Sequence, residues 1–139
     1  MKKIIFLFLI LVQSEAFSQS SEKSILRIKY VNPGINTIIA VDYKIFDSAF
    51  HKNLYRDTAI TDSVLTLILL SQYKMIRYCK AYKKIDTRYK ISFFPPELND
   101  PILIYMSYNG EAVINNRLLS KCNFLKTLKG ITDSLVNKR

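Results

Sequence analysis

The sequence predicts an α+β fold: an antiparallel sheet of about five strands with two helices packed on one face. Three observations carry this. Short runs that alternate loosely at period two occur in "ILRIKYV" (25–31), "TIIAVDYKIF" (37–46), "RYKISFF" (88–94) and "ILIYMSY" (102–108). Turn signals separate them, at Asn32-Pro33-Gly34, Pro95-Pro96 and Asn109-Gly110. Two further stretches, 62–84 and 118–129, repeat their apolar residues at three and four, as helices do.

The chain has 139 residues, and its first 18 have the layout of a bacterial export signal. Lys2 and Lys3 form a positive start, "IIFLFLILV" (4–12) is an apolar run, and Ala16-Phe17-Ser18 is a small-x-small cleavage site. The run is shorter than the roughly 20 apolar residues a membrane span needs. The expected organisation is a signal peptide over 1–18 and one small domain over 19–139, exported to the periplasm or secreted. Loss of Lys2, Lys3 and Glu15 with the leader takes the formal net charge from +10 to +9. Such an excess draws a protein toward anionic surfaces and is screened by salt.

Strand 25–31 is expected to form a hairpin with strand 37–46, in which Ile39, Val41, Tyr43 and Ile45 share a face. Residues 47–62 read as a polar loop with a short edge strand around 53–56. The segment "TDSVLTLILLSQYKMIRYCKAYKKI" (61–85) lacks Gly and Pro. Lys74, Arg77, Lys80 and Lys84 recur at three and four, and Thr66 and Leu70 continue that stripe backwards. Val64, Leu67, Ser71, Met75, Tyr78 and Tyr82 make one apolar row, and Leu65, Ile68, Leu69, Gln72, Ile76 and Cys79 the adjacent one, together a broad apolar face opposite the stripe. The spacing predicts one helix over 62–84, capped by Thr61 or Asp62; the rival is a pair of strands over 64–70 and 73–82. After strands 88–94 and 102–108, Glu111 to Asn115 returns from the Asn109-Gly110 turn. Leu118, Cys122, Leu125 and Leu128 then place a helix over 118–129, punctuated by Gly130.

No residue pattern points to catalysis. His51 is the only histidine and reads as a solvated loop residue, and Asp42 and Asp47 have no identifiable acid–base partner. There is no G-x-S-x-G, H-E-x-x-H, C-x-x-C or glycine-rich phosphate loop, and only three glycines to build one. Two cysteines and one histidine fall short of a four-ligand zinc set. The expectation is therefore a non-catalytic binding protein without metal or cofactor. Cys79 and Cys122, each placed on the apolar face of an expected helix, either bridge in an oxidising compartment or remain buried free thiols.

The strongest functional signal is the basic region. Seven cations (Lys74, Arg77, Lys80, Lys83, Lys84, Arg88, Lys90) lie between 74 and 90 against one acid, Asp86, with tyrosines interleaved. Cations and aromatics in this mixture suit nucleic acid, but the export signal argues against it. The partner expected for the face made by Lys74, Arg77, Lys80 and Lys84 is an anionic envelope component or an acidic protein, with peripheral membrane contact as one form of it. A second reading is an immunity-type inhibitor that captures a toxin in the periplasm, where opposite charge speeds encounter.

The expected strand–strand–helix–strand order over 35–96, ending in "YKISFFPP", is loosely similar to the periplasmic C-terminal domain of TonB-type energy transducers. The resemblance implies an interaction domain. This chain places its prolines after the aromatics and lacks a glycine-rich start, so no functional residue is carried over.

Processing is the first testable consequence. The mature protein is expected to begin at Gln19, checked by the intact mass and amino-terminal sequence of protein recovered from cells. Recovery of Met1 from a cytoplasmic fraction would overturn the export reading.

Overall fold

A computed structural model describes residues 26–31, 35, 40–48, 55–79 and 84–137. It shows the expected α+β architecture, with a six-stranded antiparallel sheet in the order β2-β1-β3-β4-β5-β6. The strands are β1 (Leu26–Val31), β2 (Tyr55–Ile60), β3 (Tyr89–Phe93), β4 (Ile102–Met106), β5 (Ala112–Ile114) and β6 (Arg117–Leu118). The helices are α1 (Tyr43–Asp47), α2 (Ser63–Tyr73) and α3 (Asn123–Asn137). The leader expected over 1–18, His51 and Lys80 lie outside the described residues.

Strand register sorts the side chains. Ile28 lies opposite Ile91, which lies opposite Ile104, and Tyr30, Tyr89 and Met106 form the next row. These residues, with Leu26, Phe93, Ile102, Ala112 and Ile114, are buried on one face and pack against Leu69 of α2 and Phe124, Leu125 and Leu128 of α3. Alternation sends Lys29, Lys90 and Tyr105 to the other face, which α1 covers at one end. There Val31, Val41 and Phe46 form a second, smaller core.

The expected strand over 37–46 is corrected, because 43–47 is a single helical turn. Asp42 is its cap: its Oδ1 accepts from the Ile45 N–H at 2.9 Å, and Phe46 N–H donates to the Asp42 carbonyl. A capping carboxylate competes with extended backbone, and full burial of Phe46 fixes the result. Asp47, at the end of the turn, accepts from Lys90 Nζ at 2.6 Å and from the Tyr105 hydroxyl at 2.5 Å. Burial first, then this bond, raises the Tyr105 hydroxyl above its ordinary pKa.

The hairpin partner of β1 is consequently β2, not 37–46. Residues 55–60, expected mostly as loop, form the outer strand, and Arg27 reaches diagonally to Asp57 with a 3.0 Å ion pair. Among the described residues of 35–96 the order is helix, strand, helix, strand. Among the described residues of that span the strand–strand–helix–strand order behind the TonB-type resemblance is therefore not seen.

The helix expected over 62–84 stops at Tyr73. Asp62 caps it as anticipated, accepting from Val64 and Leu65 N–H. At the far end Met75 and Ile76 N–H turn back to Gln72 and Tyr73 carbonyls, and the chain leaves the helix. It then pairs with the end of β6: Cys79 N–H donates to Leu118 O at 2.8 Å, and Ser120 N–H to Arg77 O at 2.9 Å. Continuing the helix would have stacked like charges at three and four, which is unfavourable. The sheet edge instead supplies two backbone bonds and seats Tyr78 4.3 Å beneath the Arg117 guanidinium. The rival pair of strands fails equally over 64–70.

The last helix also starts later than 118. Asn115 and Asn116 both take positive φ (49° and 62°), making the tight turn that returns β5 into β6. Cys122 precedes α3, its carbonyl accepting from Lys126 N–H. Gly130 does not end the helix. It faces open space, and α3 runs through it to Asn137.

Neighbouring leucines of α2 give a test of this packing. Leu69 is fully buried and Leu67 is 66% exposed. Leu69→Ala is expected to cost about 2–5 kcal/mol of unfolding free energy, and Leu67→Ala no more than about 0.5 kcal/mol. Urea denaturation of both variants reads the difference.

Candidate functional site

Helix α2 is apolar around almost its whole circumference, "SVLTLILLSQY". One side enters the core through Thr66 and Leu69, with Leu65, Leu70 and Tyr73 packed beside them. Tyr73 sets this orientation, its ring lying 6.1 Å from Phe93 and 5.6 Å from Phe124. Thr66 tolerates burial because its hydroxyl donates to the Asp62 carbonyl at 2.8 Å. Gln72 Oε1 accepts from the Thr127 hydroxyl and ties α2 to α3.

The opposite side of α2 is a hydrophobic ridge in contact with solvent. Val64, Leu67 and Ile68 are 64%, 66% and 43% exposed, and Met75, just past the helix end, is 68% exposed. At 3.6 residues per turn Val64, Leu67, Ile68 and Ser71 fall on one face. Val64, Leu67 and Ser71 of the first expected row are thus displayed with Ile68 of the second. Leu65 and Leu69 of the second row face the core as expected, and Thr66 and Leu70, expected to extend the basic stripe, also point inward. The helix is turned by about a third of a revolution from the expected orientation. Its sequence carries no polar face that could have fixed the rotation.

The four cations expected to share a helix face do not do so. Lys74 ends α2 and pairs with Glu97 at 3.2 Å. Arg77 lies exposed in the following segment, beside the ridge end, and makes no ion pair among the described residues. Lys84 pairs with Asp42 at 3.4 Å, across the sheet from α2. Lys80 lies outside the described residues. What remains near the ridge is Lys74 and Arg77.

Comparison of the chain with protein-family models, curated proteins and solved structures finds no match.

Cys79 and Cys122 are free thiols, and neither lies on a helix. They line the same cavity, of about 550 Å3, between the end of β6, the β4–β5 turn and the start of α3. Cys79 is exposed, with its Sγ 3.4 Å from the Ser120 hydroxyl, and Cys122 is half-buried. Leu118, Leu119 and Leu125 supply apolar wall, and Lys121, Lys126 and Lys129 stand around it. Lys129 is held by both Asp133 oxygens at 2.8 Å. Gly110, at φ +81°, lets the Lys129 stem lie against backbone that a side chain would occlude. Among the described residues no cluster of three or more His, Cys, Asp or Glu side chains could hold a metal.

Thiol accessibility gives the next test. In reduced, folded protein N-ethylmaleimide is expected to modify Cys79 several-fold faster than Cys122, since exposure controls access to a thiol. Peptide mapping over a time course checks this, and equal rates in both would contradict the geometry.

Proposed function

We propose that this chain is a non-catalytic exported binding protein that attaches to an anionic lipid surface of the bacterial envelope through the α2 ridge. The observation that supports this reading is the joining of two features on one element. Val64, Leu67, Ile68 and Met75 are large apolar side chains left in solvent, and Lys74 and Arg77 follow directly at the ridge end. A contiguous apolar patch with a polar rim marks an interaction surface. Cations beside it select an anionic surface, each worth about 1 kcal/mol near a charged leaflet. The net charge of +9 that remains after removal of the expected leader acts in the same sense at longer range.

Geometry favours a surface over a deep bilayer insertion. Among the described residues no helix is long and apolar enough to cross a membrane. A helix whose outer face is apolar, held on a folded sheet by its inner face, can bury that outer face only to the depth of its side chains. The ridge would enter the acyl boundary while Arg77 meets headgroups directly and Lys74 does so by exchanging its exposed Glu97 partner for a phosphate. The alternative of an acidic protein target, including a toxin captured by an immunity-type inhibitor, uses the same cations but gives four exposed apolar side chains no lipid to enter.

Vesicle sedimentation tests the proposal. The protein is expected to partition onto phosphatidylglycerol vesicles at low salt, and only weakly onto phosphatidylcholine. Leu67→Gln with Met75→Gln should weaken that partition by at least tenfold, as should Lys74→Glu with Arg77→Glu. Thermal stability should stay near wild type, because all four positions are exposed. Vesicle binding that survives both double variants, or concentration-dependent dimerisation that protects the ridge, would overturn it.

A further inference from the structure

The cavity beside α3 lies apart from the ridge, and its lining has a chemistry of its own. We infer that it binds a small amphipathic monoanion, an unbranched alkyl carboxylate. The chain lies along Leu118, Leu119 and Leu125, and the carboxylate is held by Lys121 and Lys126. Two elements bring the leucines together, the end of β6 and the first turn of α3.

Charge selects the head group. Lys121 and Lys126 are exposed and make no ion pair among the described residues, whereas Lys129 is already occupied by Asp133. Glu111 is the single acid in the lining. A neutral hydrocarbon would leave the two lysines without a role, and a compact dianion would make no use of the apolar wall. A single carboxylate on an alkyl chain satisfies both. The volume of about 550 Å3 falls within the range of roughly 300–1,000 Å3 in which small molecules are held. A mostly apolar wall with a few polar groups at one rim is how such pockets orient their ligands. The same chain-and-anion chemistry is offered by a free fatty acid and by an acyl chain of an anionic lipid.

Decanoate, decanol and decyltrimethylammonium, each below its micellar concentration, are the probes. Calorimetric titration of the reduced full-length mature protein is expected to show one decanoate site, at least tenfold tighter than decanol, and no binding of the cationic probe. Lys126→Glu should weaken decanoate at least tenfold and leave decanol unchanged, while Leu118→Trp should weaken both. In wild-type protein, needing no variant, decanoate should slow maleimide modification of Cys122 several-fold. Protection by phosphatidylglycerol vesicles without free acid would assign the chain to a lipid; protection by decanoate alone would assign it to a free acid. Leu67→Gln with Met75→Gln should bind decanoate as wild type does, which separates this cavity from the ridge. Equal affinity for all three probes, unchanged binding in a folded Leu118→Trp variant, or absence of Cys122 protection at saturating decanoate would overturn the inference.

Discussion

The structure depends on β1 lying between β2 and β3. Antiparallel pairing on both edges satisfies its backbone groups. The period of two then divides its side chains between two cores. Leu26, Ile28 and Tyr30 enter the layer under α2 and α3, and Val31 joins Val41 and Phe46 beneath α1. A slip of one residue would exchange these sets and place Arg27 and Lys29 among buried rings. Charged side chains on one face are thus as decisive for register as apolar ones on the other, because an uncompensated charge in that core is prohibitive.

Four of the cations between 74 and 90 are paired with acids, three of them brought in from outside the run. Glu97 answers Lys74, Asp42 answers Lys84, Asp86 answers Arg88 and Asp47 answers Lys90. Most of these pairs are partly or largely exposed, so each adds little stability. Their effect is to flatten the local field. Arg77, and Lys121 and Lys126 beside α3, are among the described cations that make no ion pair with a described acid, whereas Lys129 is held by Asp133. Local charge density along a chain is therefore a poor guide to surface potential when folding interleaves distant segments.

Much of the sheet was legible. β1, β3, β4 and β5 announce themselves through alternation and through Pro95-Pro96 and Asn109-Gly110, all of them local signals. The misreadings share a cause. Residues 43–47 alternate as a strand does, and only the Asp42 side chain and the burial of Phe46 decide otherwise. At 74–79 the cation spacing suits a helix, but a free sheet edge nearly forty residues later offers the backbone bonds to Leu118 and Arg77–Ser120 that replace it. The rotation of α2 was hidden because its apolar residues surround the axis. The signal for an exposed ridge was present in that very excess, since a short helix on a single sheet cannot bury every side. The cavity was not legible, because its walls come from 79, 109–111 and 118–129.

The position of β1 also bears on how the chain reaches its folded state. β3, β4, β5 and β6 follow one another through short connections and can pair locally. β1 is made first, yet its inner partner β3 ends only at Phe93. Such non-local pairing must close a long loop before it gains contacts, which slows folding. Until then Leu26, Ile28 and Tyr30 have no core to enter. The amino-terminal strand therefore stays available for the longest time to any holding factor that grips extended apolar chain, and the carboxy-terminal half is able to organise without it.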